Sequence, residues 1–589
     1  MSFVLNVERS ISGQPWTWRM GSADGRDDGF LPDDLVTQIL LARGCARDEL
    51  DRYRNPRLRD FLPDPSVFRD MDTAAVRIAD AVERGEAVTV FGDYDVDGAT
   101  SAALLIRLLR ALGLAAGYYI PDRLMEGYGP SGEALVAIGE SGADLVITVD
   151  CGAQAYEALA TAQAAGVEVI VVDHHKCLAT LPVALAMVNP NRLDESDEGA
   201  AQGHLAAVGM AFVLAVAVVR ELRAREFFGD DRPAPDLLAL LDLVALGTVA
   251  DVARLVGLNR CFVTQGLKVM RERRNTGLSA LIDASRLKRD VECRDLGFAL
   301  GPRINAGGRV GKSDLGVRLL TTLDPEEARD IAAQLEHFNE ERRAIEMTVT
   351  EQALAAGKGQ DNRAVALVSG KGWHPGVIGI VASRLKEKLG RPAIVIALGE
   401  DGEGKGSGRS ISGVDLGSAV LAAKDEGLLI AGGGHAMAAG LTVAGDRIDA
   451  LADFLDERLA ADVTRARGER ALMLDAVVAT GGVNPALVEA LESGGPYGAG
   501  WPGPRIATGP VKVIKADIVG QDHVRAIVAG EDGRSLKTIA FRAAETPLGQ
   551  AMLGAGSLRK LWVAGRAKID DWGPRPAAEL HLDDAAWAD

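Results

Sequence analysis

Between about residues 87 and 250 the chain repeats one pattern: a short β-branched apolar run, a turn rich in acids, then an Ala/Leu stretch with apolar positions three and four apart. Uninterrupted apolar runs suit strands buried on both faces, and the helical periodicity between them suits covering helices, so the region reads as a parallel α/β sheet. Strands are expected over 87–91, 144–149, 167–172 and 185–188, and two further helices over 205–222 and 236–246. Residues 324–357 carry a different signal. Asp324 can cap a helix that starts at Pro325, Glu327 stands at its third position and Gly357 can stop it. At about 1.5 Å per residue this helix spans roughly 50 Å, more than one domain needs, and it reads as a spacer between two lobes. A second, smaller α/β pattern starts at Ala364 (AVALVSG), continues through AIVIA and reaches a glycine cluster at 432–434. After the Gly/Pro segment 494–505 come short β runs separated by turns (VKVIKADIV, HVRAIVAG, LKTIAFR, KLWVAGRAKI), as in a small barrel or sandwich.

Composition narrows the function. With 65 Lys/Arg against 83 Asp/Glu, net charge −18, the 589-residue chain is no uniformly basic coat for nucleic acid. A polyanion must meet a local patch or bound metal ions. One patch is visible: residues 505–569 hold 11 Lys/Arg against 5 Asp/Glu. The 5 cysteines are scattered and form no C-x-x-C pair, which argues against a disulfide framework or zinc knuckle and suits a reducing compartment. The first residues, MSFVLNVERS, do not read as a signal peptide. The longest apolar run, 205–219, falls short of the roughly 20 residues of a bilayer span, so a buried helix and a cytoplasmic, membrane-free protein are expected.

The candidate chemistry sits where the strands end. In open α/β sheets the loops leaving the carboxyl ends of parallel strands form the binding crevice. Here the first strand ends in FGDYDVDG (Asp93, Asp95, Asp97), the next in Asp150 and the third in DHH (Asp173, His174, His175), while Asp251 closes GTVAD. So many carboxylates at one edge repel one another unless a cation intervenes. Oxygen ligands with one or two imidazoles suit Mn²⁺ or Mg²⁺, and two ions can share such a set during displacement at phosphorus. Asp173 is placed behind an imidazole, orienting it. The D-x-D-x-D-G run also opens a calcium-binding EF-hand loop, but its twelfth position is Leu104 instead of Glu, and a strand precedes it. The plain alternative is a set of solvated loop acids.

FGDYDVDGATS, VDCG, VDHH and GTVAD, in this order, resemble the successive motifs of the DHH phosphoesterases. IPDRLMEGYG, GPRINAGGR, GWHPGVIGIVASRL, GSGRS and GGGHAMAAG are similar to its bacterial single-strand exonuclease branch, from about Phe61 to Gly503. The resemblance implies an α/β fold: a parallel-sheet DHH domain (71–323) after an N-terminal segment (1–70), a long linking helix (324–357), a second smaller α/β domain, DHHA1 (358–465), and a C-terminal all-β OB-fold barrel (466–589). It implies 5′-to-3′ hydrolysis of single-stranded DNA to 5′-mononucleotides, with two Mn²⁺ or Mg²⁺ ions on Asp93, Asp95, Asp97, Asp150, His174, His175 and Asp251. Many relatives carry a histidine upstream of the second acid, where this chain has Phe91. Single-strand-binding protein and recombination or repair helicases are the implied partners of a monomer. The alternatives are a DHH phosphodiesterase for short oligonucleotides or cyclic dinucleotides, and a catalytically dead single-strand-binding relative.

Other residues are read with it. Arg303, Asn305 and Arg309 are expected in a donor-rich turn contacting phosphate, Arg303 foremost and counted with Asp95, Asp97, Asp150, His174 and His175 in the catalytic set. Arg409 and the glycines of GGGH, with Gly433 and His435, suit a second phosphate or base contact, because glycine lets backbone N–H groups approach an anion. Trp373 and His374 either hold a base or cap a strand. Gly498, Gly500 and Gly503 match a bare G-x-G-x-x-G, but Pro502 interrupts it and no strand-turn-helix follows, so no dinucleotide site is expected. Phe541 and Trp562 are candidate stacking platforms in the barrel.

Overall fold

The computed structural model describes residues 3–19, 34–123, 125–360, 362–555, 559–570 and 576–588. The short strand β1 (Trp16–Trp18) and three shorter helices within 35–61 precede helix α1 (Met71–Arg84), β2 (Val88–Gly92), α2 (Val96–Ala111), β3 (Gly117–Tyr119), β4 (Leu145–Val149), β5 (Val169–Val172) and β6 (Ala186–Val188). β2 to β6 form one parallel sheet in the order β3-β2-β4-β5-β6. Every residue of β4, β5 and β6 is buried, which is why these strands lack polar alternation. Helix α3 (Ala207–Ala224) is the 205–219 run, with 13 buried residues in the core between sheet and outer helices. Next comes a 3₁₀ turn (Leu237–Leu240) and then α4 (Leu241–Ala250), where one helix from 236 was expected.

The segment GPRINAGGR is a helix, α5 (Gly301–Val310), and the expectation of a turn is corrected. Its small residues serve close packing: a Cβ on Gly308 would stand 3.0 Å from the Tyr94 carbonyl oxygen, and one on Gly307 3.0 Å from that of Lys312. The long helix α6 (Pro325–Ala356) lies where its end signals place it. Asp324 caps it through the Glu326 N–H at 2.8 Å, but no capping box forms, because Glu327 turns back to the Thr322 hydroxyl and Arg318. Its buried residues change along its length: Ile331 and Leu335 belong to the first core, Asn339, Arg342 and Glu346 are polar, and Val349 and Ala353 belong to the next.

The second lobe contains β7 (Ala366–Lys371), α7 (Ile378–Leu389), β8 (Ala393–Leu398), β9 (Glu403–Arg409), α8 (Leu416–Asp425), β10 (Ala431–His435), β11 (Ala438–Ala444) and α9 (Ile448–Gly468). Its sheet runs β10-β11-β9-β8-β7 and is parallel only between β7 and β8. The glycine cluster is therefore an edge strand. Then follow β12 (Leu472–Leu474), which pairs with β1, and β13 (Ala476–Val478), which flanks β14. Strands β14 (Ile506–Val519), β15 (His523–Gly530), β16 (Ser535–Ala540), β17 (Lys560–Asp570) and β18 (Ala577–Trp587) close an OB-type barrel through the β14–β17 pairing.

Candidate metal and phosphate site

The acidic edge forms at the carboxyl ends of β2, β4 and β5. Asp95 caps α2, its Oδ1 accepting the N–H groups of Asp97 (2.9 Å) and Gly98 (3.1 Å). Gly98 is obligatory, since a Cβ there would lie 2.5 Å from the Asp93 carbonyl oxygen. Asp97 is anchored from the opposite side by the first N–H groups of α3, Ala207 at 2.7 Å and Val208 at 3.0 Å. Asp150 leaves β4 with φ +61°, a left-handed conformation uncommon for a residue with a side chain, which turns its carboxylate into the crevice. Asp251 ends α4 and Val252 follows at φ +61°.

The ligand atoms converge. Asp93, Asp95 and Asp150 form one group, Asp97, His174 and Asp251 a second, and Asp150, Asp173, His174 and His175 a third, with the atoms of each group within 4.8 Å of one another. His174 Nε2 lies 3.2 Å from Asp150 and 3.8 Å from Asp97, and its Nδ1 lies 3.9 Å from Asp251. Asp93 Oδ1 and His174 Nε2 are buried without a hydrogen-bond partner among the described residues. Orphaned donors and acceptors inside a ring of hard oxygen ligands fit a pair of divalent cations.

Charge tells the same story. Burial and the neighbouring Asp95 push Asp97 up to about 7, and burial with Asp97 lifts Asp251 to about 8. Asp93 and Asp150 are raised well above the usual carboxylate range by burial and the surrounding acids. Asp173 differs: burial opposes its ionisation, but hydrogen bonds from His175 and the Ala153 N–H hold it at about 2. It grips His175 Nδ1 at 2.7 Å and thus orients that ring. Burial, with His175 nearby, drops His174 to about 4, leaving the neutral imidazole a metal requires.

Sequence reasoning passed over several supports. The Tyr128 hydroxyl donates to the Asp150 carbonyl at 2.9 Å and lies 3.3 Å from the ring nitrogens of His175. Asn189 and Asn191 hold the carbonyls of His175 (2.8 Å) and His174 (2.6 Å). Tyr128 lies inside the GYG of a motif already singled out, and the two asparagines follow β6 in VNPN. An asparagine after a strand has no pattern that distinguishes a brace from a turn.

Facing this edge is a basic pocket of about 510 Å³ between the lobes, lined by Arg123, Arg309, Ser407, Arg409 and the start of α7. Arg409 donates to the Ser407 hydroxyl at 3.1 Å, and Arg309 to the Gly376 carbonyl at 2.8 Å. Burial and the nearby Arg123, Arg342 and Arg409 depress Arg309 to about 10, and no carboxylate lines the pocket among the described residues. The two sites adjoin through Tyr94, between Asp93 and Asp95: the Arg123 guanidinium lies 5.0 Å from its ring centre, and Gly308 of α5 packs on its backbone.

Other expected contacts fall elsewhere. Arg303 is buried in an ion pair with Glu336 of α6 and donates to the Ala299 carbonyl, so the preference for it over Arg309 is reversed. Asn305, half-buried on α5, does not line the pocket. Trp373 is a core residue whose indole N–H donates to Gln352 at 2.6 Å. His374 accepts the Gly376 N–H at 3.0 Å, bracing the turn before α7. Gly433 lines the pocket, whereas His435 is exposed and outside it. In the barrel Trp562 packs against the cluster around Trp16, while Phe541 is half-exposed with its ring against His523 and His581.

A parallel sheet with this acid and imidazole edge, joined by a long helix to a lobe that closes an arginine pocket beside it, defines a DHH-type phosphoesterase. Family models match the chain accordingly: the DHH family, N-terminal domain, over residues 87–248, the DHHA1 domain over 361–461 and the RecJ OB domain over 474–584. The chain belongs to the RecJ family. It is 37% identical over 573 residues to the single-stranded-DNA-specific exonuclease RecJ of Dickeya dadantii, covering 94% of this chain and 96% of that one. It is 35% identical to the Escherichia coli protein of the same name, covering 93% and 95%. The crystal structure of RecJ in complex with Mn²⁺ from Thermus thermophilus superposes with a TM-score of 0.76 at 28% identity, covering 94% of this chain and 75% of that one. A Mg²⁺ complex from the same organism gives 0.71.

Proposed function

We infer that this protein is a metal-dependent exonuclease that hydrolyses single-stranded DNA from its 5′ end to 5′-mononucleotides, in recombination and DNA repair. The observation that carries the reading is the contact, through Tyr94, between a crowded acid and imidazole centre and a crowded arginine pocket. A terminal 5′ phosphate seated by Arg309, Ser407 and Arg409 leaves the next phosphodiester at the acidic centre, which supports both the end-dependence and the polarity.

Asp93, Asp95, Asp97, Asp150, His174, His175 and Asp251 would hold two Mn²⁺ or Mg²⁺ ions. When bound, such ions supply a water of lowered pKa and clamp the attacking and leaving oxygens. The chain's own groups do the rest. Asp173 occupies His175 Nδ1 and so leaves Nε2 as that ring's one free ligand atom, while the Tyr128 hydroxyl steadies the ring. Arg303 supports α5 through Glu336 and so fixes Arg309 in place.

We assign residues 71–323 to the hydrolytic lobe, 324–357 to the linking helix, 358–465 to the end-binding lobe and 466–589 to strand binding, with 1–70 tying β1 to β12. We place the protein in the cytoplasm as a monomer, working on strands opened by repair helicases and coated by single-strand-binding protein. No helix among the described residues is long and apolar enough to cross a membrane. The test is digestion with Mn²⁺ of end-labelled single and double strands alongside a dinucleotide. Stepwise loss from the 5′ end of the single strand is expected, and preference for the dinucleotide or a labelled 3′ end overturns the reading.

A further inference from the structure

The arginine pocket is larger than one phosphate requires, and its surplus lies in one direction. Helix α7 covers β7, β8 and β9 on one sheet face and stops there, so β11 and β10 are left uncovered on that face. Three transverse rows result: Arg409, Ala438 and His435; Ser407, Gly440 and Gly433; Lys405, Thr442 and Ala431. Successive rows are about 7 Å apart, two residues of strand rise. A Cβ on Gly440 or Gly433 would meet nothing within 4 Å, which makes the middle row an open floor. The pocket of about 510 Å³ runs over it from Arg309 and Arg409 at one end to Lys405 and Thr442 at the other. The described lining is cationic or neutral throughout.

We propose that this trough binds the outer phosphates of a 5′-triphosphorylated strand, so that the enzyme degrades such strands without prior removal of the extra phosphates. The proposal rests on the reading of Arg309, Ser407 and Arg409 as the seat of the terminal phosphate. That group remains in their grip, the added phosphates extend along the glycine floor, and Lys405 with the Thr442 hydroxyl closes on the last of them. Water adds to the phosphorus joining the first and second nucleotides, and the bond from that phosphorus to the 3′ oxygen of the first breaks. The 3′ oxygen takes a proton. The first product is then a nucleoside 5′-triphosphate, and the shortened strand carries an ordinary 5′ monophosphate, so only the first turnover differs.

The test uses the full chain with Mn²⁺ and three single-stranded DNA oligonucleotides of one sequence, ending in 5′-hydroxyl, 5′-monophosphate or 5′-triphosphate. Under single turnover the triphosphorylated strand should release its first residue as a nucleoside triphosphate, with a half-saturating concentration no higher than the monophosphorylated strand's. Lys405→Ala should raise that concentration about tenfold for the triphosphate alone, the loss of one charge-assisted contact. Gly440→Val, at a site where an added Cβ meets no protein atom within 4 Å, should weaken the triphosphorylated strand far more than the other two. The proposal is overturned if the triphosphorylated strand behaves like the hydroxyl-ended one, or if either variant affects all three ends equally. Failure of the wild type on the monophosphorylated strand would instead remove the exonuclease reading beneath it.

Discussion

The acidic edge of the first lobe and the arginine pocket between the lobes carry opposite forms of one imbalance. Along the first, buried Asp93, Asp97 and Asp150 crowd against half-buried Asp251, and all four are forced upward in pKa. In the pocket between the lobes, Arg309 of the first and Arg409 of the second are forced downward by burial and by other guanidinium groups. The barrel shows what settled charge looks like: Lys537 pairs with Asp570 at 2.6 Å, Lys568 with Glu492 at 2.6 Å and Arg505 with Asp583 at 2.6 Å, so part of its basic surplus is spent internally. A fold that leaves like charges crowded at two adjoining places, while pairing them elsewhere, keeps both places for ligands of opposite sign. A metal-bound phosphodiester with a phosphorylated end supplies both signs at once.

The comparison breaks most sharply at Asp150. Asp150→Ala removes a ligand shared by two of the three groups, and cleavage should fall at least about a thousandfold while binding of single-stranded DNA persists. A gel-shift assay beside a nuclease assay reads both; loss of binding in step with cleavage would mean that the acid supports the fold. On the opposite lobe, Arg409→Ala should cost about ten- to a hundredfold in kcat/KM on 5′-phosphorylated strands and little on 5′-hydroxyl strands. Equal losses on both ends would place the arginine outside the end pocket.

Metal should relieve the acidic imbalance measurably. Mn²⁺ at about a hundred times its Kd should stabilise the fold by about 2.7 kcal/mol, read as a rise in Tm that EDTA reverses. Asp93→Asn should lower that increment, because it replaces a buried anionic carboxylate, one oxygen of which lacks a partner, by a neutral amide.

The smallest effect concerns a control. Asp242 is also buried, but beside Arg107 and away from other acids, and burial lifts it to about 6. Its folded pKa exceeds the unfolded value near 3.8, so the native state binds the extra proton. Stability from this group is full below about pH 4 and declines as pH rises toward 6. The loss approaches about 3 kcal/mol at neutral pH, and Asp242→Asn should flatten that slope in urea titrations from pH 4 to 7. An unchanged slope would mean that burial alone does not shift this acid and that crowding is what raises the others.

Much of the first lobe was legible because its signals are local. Strand runs, the Asp324 cap with Pro325 and the acids that follow β2, β4 and β5 all depend on neighbours in the chain, and α6 begins at the residue expected. Misreadings arose where composition and environment disagree. Gly307 and Gly308 suggested a turn, yet they sit in a helix because α5 must approach Tyr94 and Lys312 closely. The glycines of β10 suggested backbone N–H groups turned toward an anion, but they form an edge strand whose lack of side chains makes a pocket floor. Arg303 and Arg309 look alike in sequence, and only the position of Glu336 on another helix separates the arginine paired with a carboxylate from the one that faces the pocket.

By itself, then, the chain's residue order determined the parallel sheet, the linking helix, the barrel texture and the acids and histidines at the strand ends, since each depends on periodicity or on groups a few positions apart. The tertiary structure decided which charges are left without partners. Whether an arginine meets a carboxylate or another arginine depends on helices and strands far apart in sequence, and burial, which sets the cost of an unmatched charge, exists only once those elements have packed.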